Sequence, residues 1–269
     1  MKEISLEELK DIQARMTKQV HDFCEENGLR YYVFYGTLIG AIRHKGYIPW
    51  DDDIDLAMPR PDYDRFLKTF NGAYPDLEVL APELDPGFYA PYANVCLKGT
   101  RLVEQNRRHH GREMGVKIDI FPIDGAPEDD AEYANLRKRL LRLKFLLFYK
   151  NVALSRYKDD KVLWIKTLAW KIMLLPLSVR AIQHHIHRLA VANDFETSKY
   201  SDELVFISIY SKRLPKRVYA NCIDVDFEGY RLKAPRDYDE FLRSIYGDYM
   251  QLPPEAERNP YHGFRAYWL

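Results

Sequence analysis

The chain has little of what marks several large functional classes. Its three cysteines, Cys24, Cys96 and Cys222, are scattered over 269 residues without a CxxC pair. That spacing argues against a disulfide framework or a structural zinc site and fits a reducing, cytosolic setting. No apolar run approaches the roughly 18 residues that a membrane span needs. The opening Met1-Lys2-Glu3-Ile4 lacks the apolar core of a signal peptide. Internal repeats and low-complexity linkers are absent, and so is net charge: 40 Lys and Arg balance 40 Asp and Glu.

What is present is ordinary globular material, 46% hydrophobic and 30% charged, enough to bury a large core. The zero balance hides a split. Residues 131–200 hold 14 Lys and Arg against 5 Asp and Glu, so the remainder carries the opposite excess. Such a block either presents itself to an anionic surface or simply solvates helices.

Ser5-x-x-Glu8 reads as a capping box, and Leu9, Ile12, Met16, Val20 and Phe23 recur at helical spacing. A helix over about 6–26 is predicted, ended by Asn27-Gly28. A short strand 31–35, a Gly36-Thr37 turn, a short helix 38–43 and a strand 53–58 follow, then a helix over 62–70. Strands are expected near 92–97, 100–104 and 116–121, with a polar, basic loop at 105–114. Long helical patterns occupy 130–155 and 160–197, broken near Pro176. An extended piece over 218–233 and a helix from 237 complete the chain.

The chemistry points to 35–55. Asp53 and Asp55 alternate with Ile54 and Leu56, so a strand there sends both carboxylates to one face, roughly 7 Å apart at about 3.3 Å per residue. Two such carboxylates can converge on hard cations, and the ions can clamp a phosphate undergoing displacement. The competing view, an acidic solvated turn at Asp51-Asp52-Asp53, gives no reason for Asp55. Gly36 lets backbone approach a phosphate, and Thr37 can donate its hydroxyl. Arg43, His44 and Lys45 can neutralise phosphate charge. Asp119, alone among Val116, Ile118 and Ile120, would complete a three-carboxylate cluster. The group His184, His185 and His187 reads as a polar helix face.

The segment YGTLIGAIRHKGYIPWDDDIDLAMPR (35–60) resembles the signature of the LicD family of phosphotransferases. KIDIFPIDG (117–125) is similar to its second block; YGDYMQLPP (246–254), with Arg258 and His262-Gly263-Phe264, is similar to its third. The resemblance implies an α+β fold: a nucleotidyltransferase-type core with a small mixed sheet flanked by helices, plus a largely helical insertion. The regions expected are a catalytic core over 1–130, a basic helical region over 131–215 and a C-terminal segment, 216–269, returning to the core. It also implies transfer of a phosphorylated alcohol, phosphocholine foremost, from a CDP-activated donor to a hydroxyl of a teichoic-acid or lipopolysaccharide glycan, releasing CMP.

By position, Asp53, Asp55 and Asp119 match the metal-binding and catalytic carboxylates, with Mg2+, or Mn2+ in its place, as cofactor and Asp119 as base. Gly36, Thr37, Arg43, His44 and Lys45 would contact the donor, with Arg258 and His262 closing from the tail and Asp51 and Asp52 in support. The partners expected are CDP-choline, a glycan acceptor of the kind that a lipid can carry, and an anionic membrane touched peripherally through 131–200; no nucleic acid is expected. Two other readings stay open: a nucleotidyltransferase releasing pyrophosphate, and a non-catalytic membrane-surface or glycan-binding protein.

Overall fold

A computed structural model describes residues 1–85, 87–104, 114–207, 212–258 and 264–269. A short strand β1 (Lys2–Ile4) leads into α1 (Leu6–Asn27), where the Ser5 hydroxyl accepts the Glu8 N–H at 3.1 Å. Gly28, at φ 61°, turns the chain out of the helix, a conformation that costs glycine little. The stripe Leu9, Ile12, Met16, Val20 and Phe23 is buried, as its spacing required. Strand β2 (Tyr32–Val33) is shorter than expected, because α2 (Tyr35–Arg43) begins at Tyr35 and absorbs the predicted Gly-Thr turn into its first turn.

Next come β3 (Asp55–Pro59), α3 (Arg60–Thr69), β4 (Leu77–Leu80), β5 (Ala93–Leu97), β6 (Thr100–Glu104) and β7 (Lys117–Ala126). Strand β7 runs five residues further than its alternation predicted. Its pairing with β5 covers Lys117–Ile120, so Pro122 lies past it and breaks no bond of that ladder. The helical region holds α4 (Asp130–Asn151), α5 (Lys161–Met173) and α6 (Val179–Ala190). The helical pattern expected over 160–197 does break around Pro176, into α5 and α6, but it ends at Ala190 and not at 197. After them lie β8 (Tyr200–Asp202), β9 (Leu214–Pro215), the hairpin β10 (Cys222–Phe227) and β11 (Tyr230–Pro235), α7 (Tyr238–Tyr246) and β12 (Phe264–Trp268). Of the loop predicted over 105–114, residues 105–113 lie outside the described residues.

The architecture is α+β. The main sheet runs β2-β3-β7-β5-β4, with β3 and β7 parallel and the other neighbours antiparallel; β8 and β9 extend it from the far half of β7. A second sheet, β1-β12-β6, joins both ends of the chain. Phe23 of α1 meets Phe66 and Phe70 of α3 edge-on, at ring centroids 5.9 and 5.0 Å apart. Gln13 of α1 donates to the Lys117 carbonyl of β7 at 3.1 Å. Arg60 and Asp124, both buried, form a two-pronged pair at 2.6 and 2.9 Å that ties the start of α3 to β7.

Candidate active site

The parallel pairing of β3 with β7 sets Asp55 in register with Asp119, and β5 brings Asn94 to the other side of Asp119. Asp119 Oδ1 accepts from Asn94 Nδ2 at 2.5 Å and from Lys117 Nζ at 2.6 Å. Thr37 reaches over from α2, its hydroxyl oxygen accepting the Asp55 backbone N–H at 2.9 Å. Burial pushes the Asp55 carboxyl well up from its ordinary range, and the charges of Asp53, Asp119 and Asp51 push it further against the pull of Lys117. Burial alone would lower Lys117, but Asp119 outweighs it and holds the ammonium charged.

Asp53 does not sit on the strand. The β2 ladder has only two residues, pairing with Leu56 and Ala57, and the Phe34 N–H ends it on the Asp55 carbonyl. Asp51, Asp52 and Asp53 therefore lie on the loop entering β3, where one carboxylate oxygen from each comes within 4.8 Å of the other two. Asp51 and Asp52, expected only in support, stand in the tightest acidic group among the described residues. Loop and strand carboxylates still share one field, since both raise Asp55.

Gly36 has a second neighbour to accommodate. A Cβ there would come 2.8 Å from Asp51 Oδ2, so the missing side chain lets an aspartate lie against the first turn of α2. The positive end of the helix dipole favours that carboxylate. Tyr35, just before it, is held at φ 41°, a strained setting for a residue with a side chain. Its ring is buried against Phe34 and Phe121, and its hydroxyl donates to Glu203 at 3.2 Å.

Arg43 donates through Nη1 to the carbonyls of Tyr249 at 2.5 Å and Gln251 at 3.3 Å, and through Nε to His44 at 2.9 Å. It straps the tail to α2, a role that its place in the sequence did not reveal. Burial lowers His44, and Arg43 lowers it further. Lys45, at φ 61°, turns the chain away, and its carbonyl accepts from Glu228 of the β10–β11 turn. The Arg258 guanidinium lies 5.4 Å from the Trp50 ring centroid, which brings the tail to the acidic loop. His262 lies outside the described residues.

Three further groups belong to this neighbourhood. Asn94 and Lys117 hold Asp119; Lys117 shares the parity of Asp119 in Lys117-Ile118-Asp119, whereas nothing around Asn94 marks it. Tyr246, at the end of α7, is exposed as a whole, but desolvation at its hydroxyl and the charges of Asp55, Asp51 and Asp53 push that hydroxyl up, so the third signature block reaches the cluster. Beside the site runs a cleft walled by Tyr89, Tyr92, Phe148 and Phe206, with Lys144 and Arg156 on its lining. The Tyr92 ring packs tilted against Phe121 with centroids 4.3 Å apart, and both Tyr89 and Tyr92 act on the charge of Lys117. The cleft therefore adjoins the Asp119 end of the cluster.

The sequence of this region matches known proteins. Residues 28–127 match the family model described as LicD/FKTN/FKRP, nucleotidyltransferase domain, a span that includes Gly36, Thr37, Asp53, Asp55 and Asp119. The whole chain aligns with the whole of the lipopolysaccharide cholinephosphotransferase LicD of Haemophilus influenzae, 30% identical over 280 residues. Uncharacterized proteins of Rickettsia prowazekii and Rickettsia typhi are each 40% identical over 48 residues; the match covers 18% of this chain, and 18% and 16% of theirs. The protein is a transferase of phosphate-containing groups. Within that class the full-length match is specific, and the chain belongs to the LicD family.

Proposed function

We propose that the protein transfers phosphocholine from CDP-choline to a hydroxyl of a cell-surface glycan of the lipopolysaccharide or teichoic-acid type, releasing CMP with the help of a divalent cation. The observation that carries this reading is the in-register pair Asp55 and Asp119 beside the Asp51–Asp53 loop, in a chain that aligns end to end with a lipopolysaccharide cholinephosphotransferase. The donor set suits a hard cation. Its oxygens are carboxylates, and the charges of Asp51, Asp53 and Asp119 act together on Asp55 with Lys117 opposing them. Mg2+ held by Asp53, Asp55 and Asp119, with Asp51 and Asp52 in support, would supply charge neutralisation at the donor pyrophosphate when bound.

The chain's own residues do the rest. The glycan hydroxyl oxygen attacks the phosphorus that carries choline, the bond from that phosphorus to CMP breaks, and the hydroxyl proton passes to Asp119. Asn94 and Lys117 converge on Asp119 Oδ1, which orients the carboxylate so that Oδ2 can take the proton. Thr37 sets the height of Asp55 through its backbone N–H. Lys45 and the remaining donors of Arg43 and Arg258 suit the donor phosphates. The aromatic cleft suits the acceptor better than choline, because Lys144, 4.1 Å from the Phe206 ring centroid, would oppose a quaternary ammonium there. An acceptor carried on a lipid would be met at a membrane surface.

The test is CMP release with Mg2+ from CDP-choline, CDP-ethanolamine, CDP-glycerol and CDP-ribitol, with a cell-envelope glycan as acceptor, for wild type and Asp53→Ala. CMP from CDP-choline alone, lost in the variant, is expected. Release from another donor would reassign the alcohol. Pyrophosphate released from CTP, with no CMP from any donor, would point to the nucleotidyltransferase reading instead.

A further inference from the structure

Helix α5 is docked by one side only. Its inner side holds buried Thr167, with buried Leu174 just beyond the helix, and Trp170 stacks on Tyr149 at 5.4 Å and meets Phe145 edge-on at 5.0 Å. Lysines lock that seat: Lys171 Nζ donates to the Tyr149 and Lys150 carbonyls at 3.0 and 3.1 Å, and Lys150 Nζ to the Leu174 carbonyl at 3.0 Å. The other side carries Val162, Ile165, Ile172 and Met173, which are 57–62% exposed, and Leu175 just beyond is 72% exposed. Positions 162, 165, 169, 172 and 173 fall on one stripe of a helix with 3.6 residues per turn, so the exposed apolar surface is continuous.

The charge around this stripe selects what covers it. Residues 133–193 contain 13 Lys and Arg and only 2 acidic residues, Asp159 and Asp160. Lys161 and Lys166 are exposed on α5 itself, and Arg180 is exposed at the start of α6. A second copy brought face to face would set two such positive surfaces against each other. An anionic bilayer offers hydrocarbon for the stripe and phosphate for the lysines. At 13 residues α5 is too short to cross a membrane, and no helix among the described residues is long and apolar enough to do so.

We propose that α5 is an interfacial helix that seats the enzyme on an anionic lipid bilayer, with Val162, Ile165, Ile172, Met173 and Leu175 below the headgroups and Lys161 and Lys166 on them. Lys171 is not part of this contact, because its ammonium holds the helix to α4. The contact needs nothing from the catalytic reading; its purpose, meeting a lipid-carried acceptor, rests on that reading.

Co-sedimentation of the full chain with phosphatidylethanolamine vesicles containing phosphatidylglycerol, against pure phosphatidylcholine vesicles, tests it. The expected result is binding to the anionic vesicles that added salt weakens. The double variants I165D/I172D and K161E/K166E should each bind at least about 10-fold more weakly, with the far-ultraviolet circular dichroism of wild type. I165D/I172D should also release CMP at the wild-type rate with a delipidated, water-soluble acceptor. Absence of wild-type binding, or I165D/I172D binding like wild type, overturns the proposal. So does a wild-type dimer in sedimentation velocity that I165D/I172D makes monomeric, which would assign the stripe to a second copy. Vesicle binding without CMP release from any donor would support the contact and overturn the proposed function.

Discussion

Asp55 of β3 and Asp119 of β7 are register partners in a parallel pair, but their surroundings differ. Asp119 has Lys117 and Asn94 on one oxygen, while Asp55 feels Asp53, Asp119 and Asp51 with only Lys117 in opposition. Two like charges side by side cost stability, and a site keeps them where they have a charge to hold.

Neutralising each of the pair separates function from folding. Both Asp55→Asn and Asp119→Asn should lower CMP release by about 100-fold or more. Asp55→Asn should raise stability by on the order of 1 kcal/mol, because it removes a half-buried charge that its neighbours repel. Asp119→Asn should cost roughly 3 kcal/mol, because it strips the carboxylate from Lys117, whose side chain is only 11% exposed. Kinetics and urea unfolding of the two variants would check this; the same sign of stability change in both would contradict it.

Two glycines of α2 should behave differently. In Gly36→Ala the new methyl meets only the end of the Asp51 side chain, which can swing away. Melting temperature should hold within a few degrees while activity falls about 10-fold or more as the acidic loop shifts. In Gly40→Ala the methyl would overlap the Gly46 backbone carbonyl, so the fold itself should lose roughly 2 kcal/mol or more. Thermal unfolding read beside activity distinguishes a displaced ligand from a displaced backbone.

The buried pair Arg60 and Asp124 predicts an unequal double-mutant cycle. Arg60→Met leaves Asp124 buried without its guanidinium and should destabilise by roughly 3–5 kcal/mol. Adding Asp124→Leu should recover much of that loss. Chemical denaturation of the double variant and of both single variants, Asp124→Leu included, would show it, and strictly additive losses would mean the pair contributes no coupling.

Stability should fall as pH rises through neutrality. Burial pushes the Glu203 carboxyl up to about 7, against the backbone donors of Phe206 and Ile207. A pKa raised in the folded state means the fold binds the proton more tightly than the unfolded chain does. The cost of burying the carboxylate is then absent below the unfolded value near 4.5 and complete above about 7. Unfolding free energy should drop by roughly 2–3 kcal/mol between pH 5 and pH 8 through this group. Glu203→Gln should flatten that dependence, and an unchanged slope would exclude the group.

Much of the local structure could be read residue by residue. Ser5 and Glu8 at capping spacing and the stripe from Leu9 to Phe23 defined α1, and the alternation from Val116 to Phe121 marked β7. The alternation through Asp53 and Asp55 was less faithful. Periodicity reports which way side chains would point on a strand, not how far the neighbouring strand extends, and β2 supplies only two residues. Gly36 told of a close approach but not of Asp51 as the approaching group.

By itself, the sequence determined the α+β class, the family and the acidic residue types of the site, because short-range periodicity and motif order are written in consecutive residues. Only the tertiary structure decided that Asp55 faces Asp119 across 64 positions, that Arg43 straps the tail, that Asn94 and Lys117 hold one carboxylate oxygen, and that Lys171 turns inward while Ile165 and Ile172 stay outside. Those choices belong to packing. A strand's register and a side chain's partner depend on surfaces that meet only when distant segments close on one core.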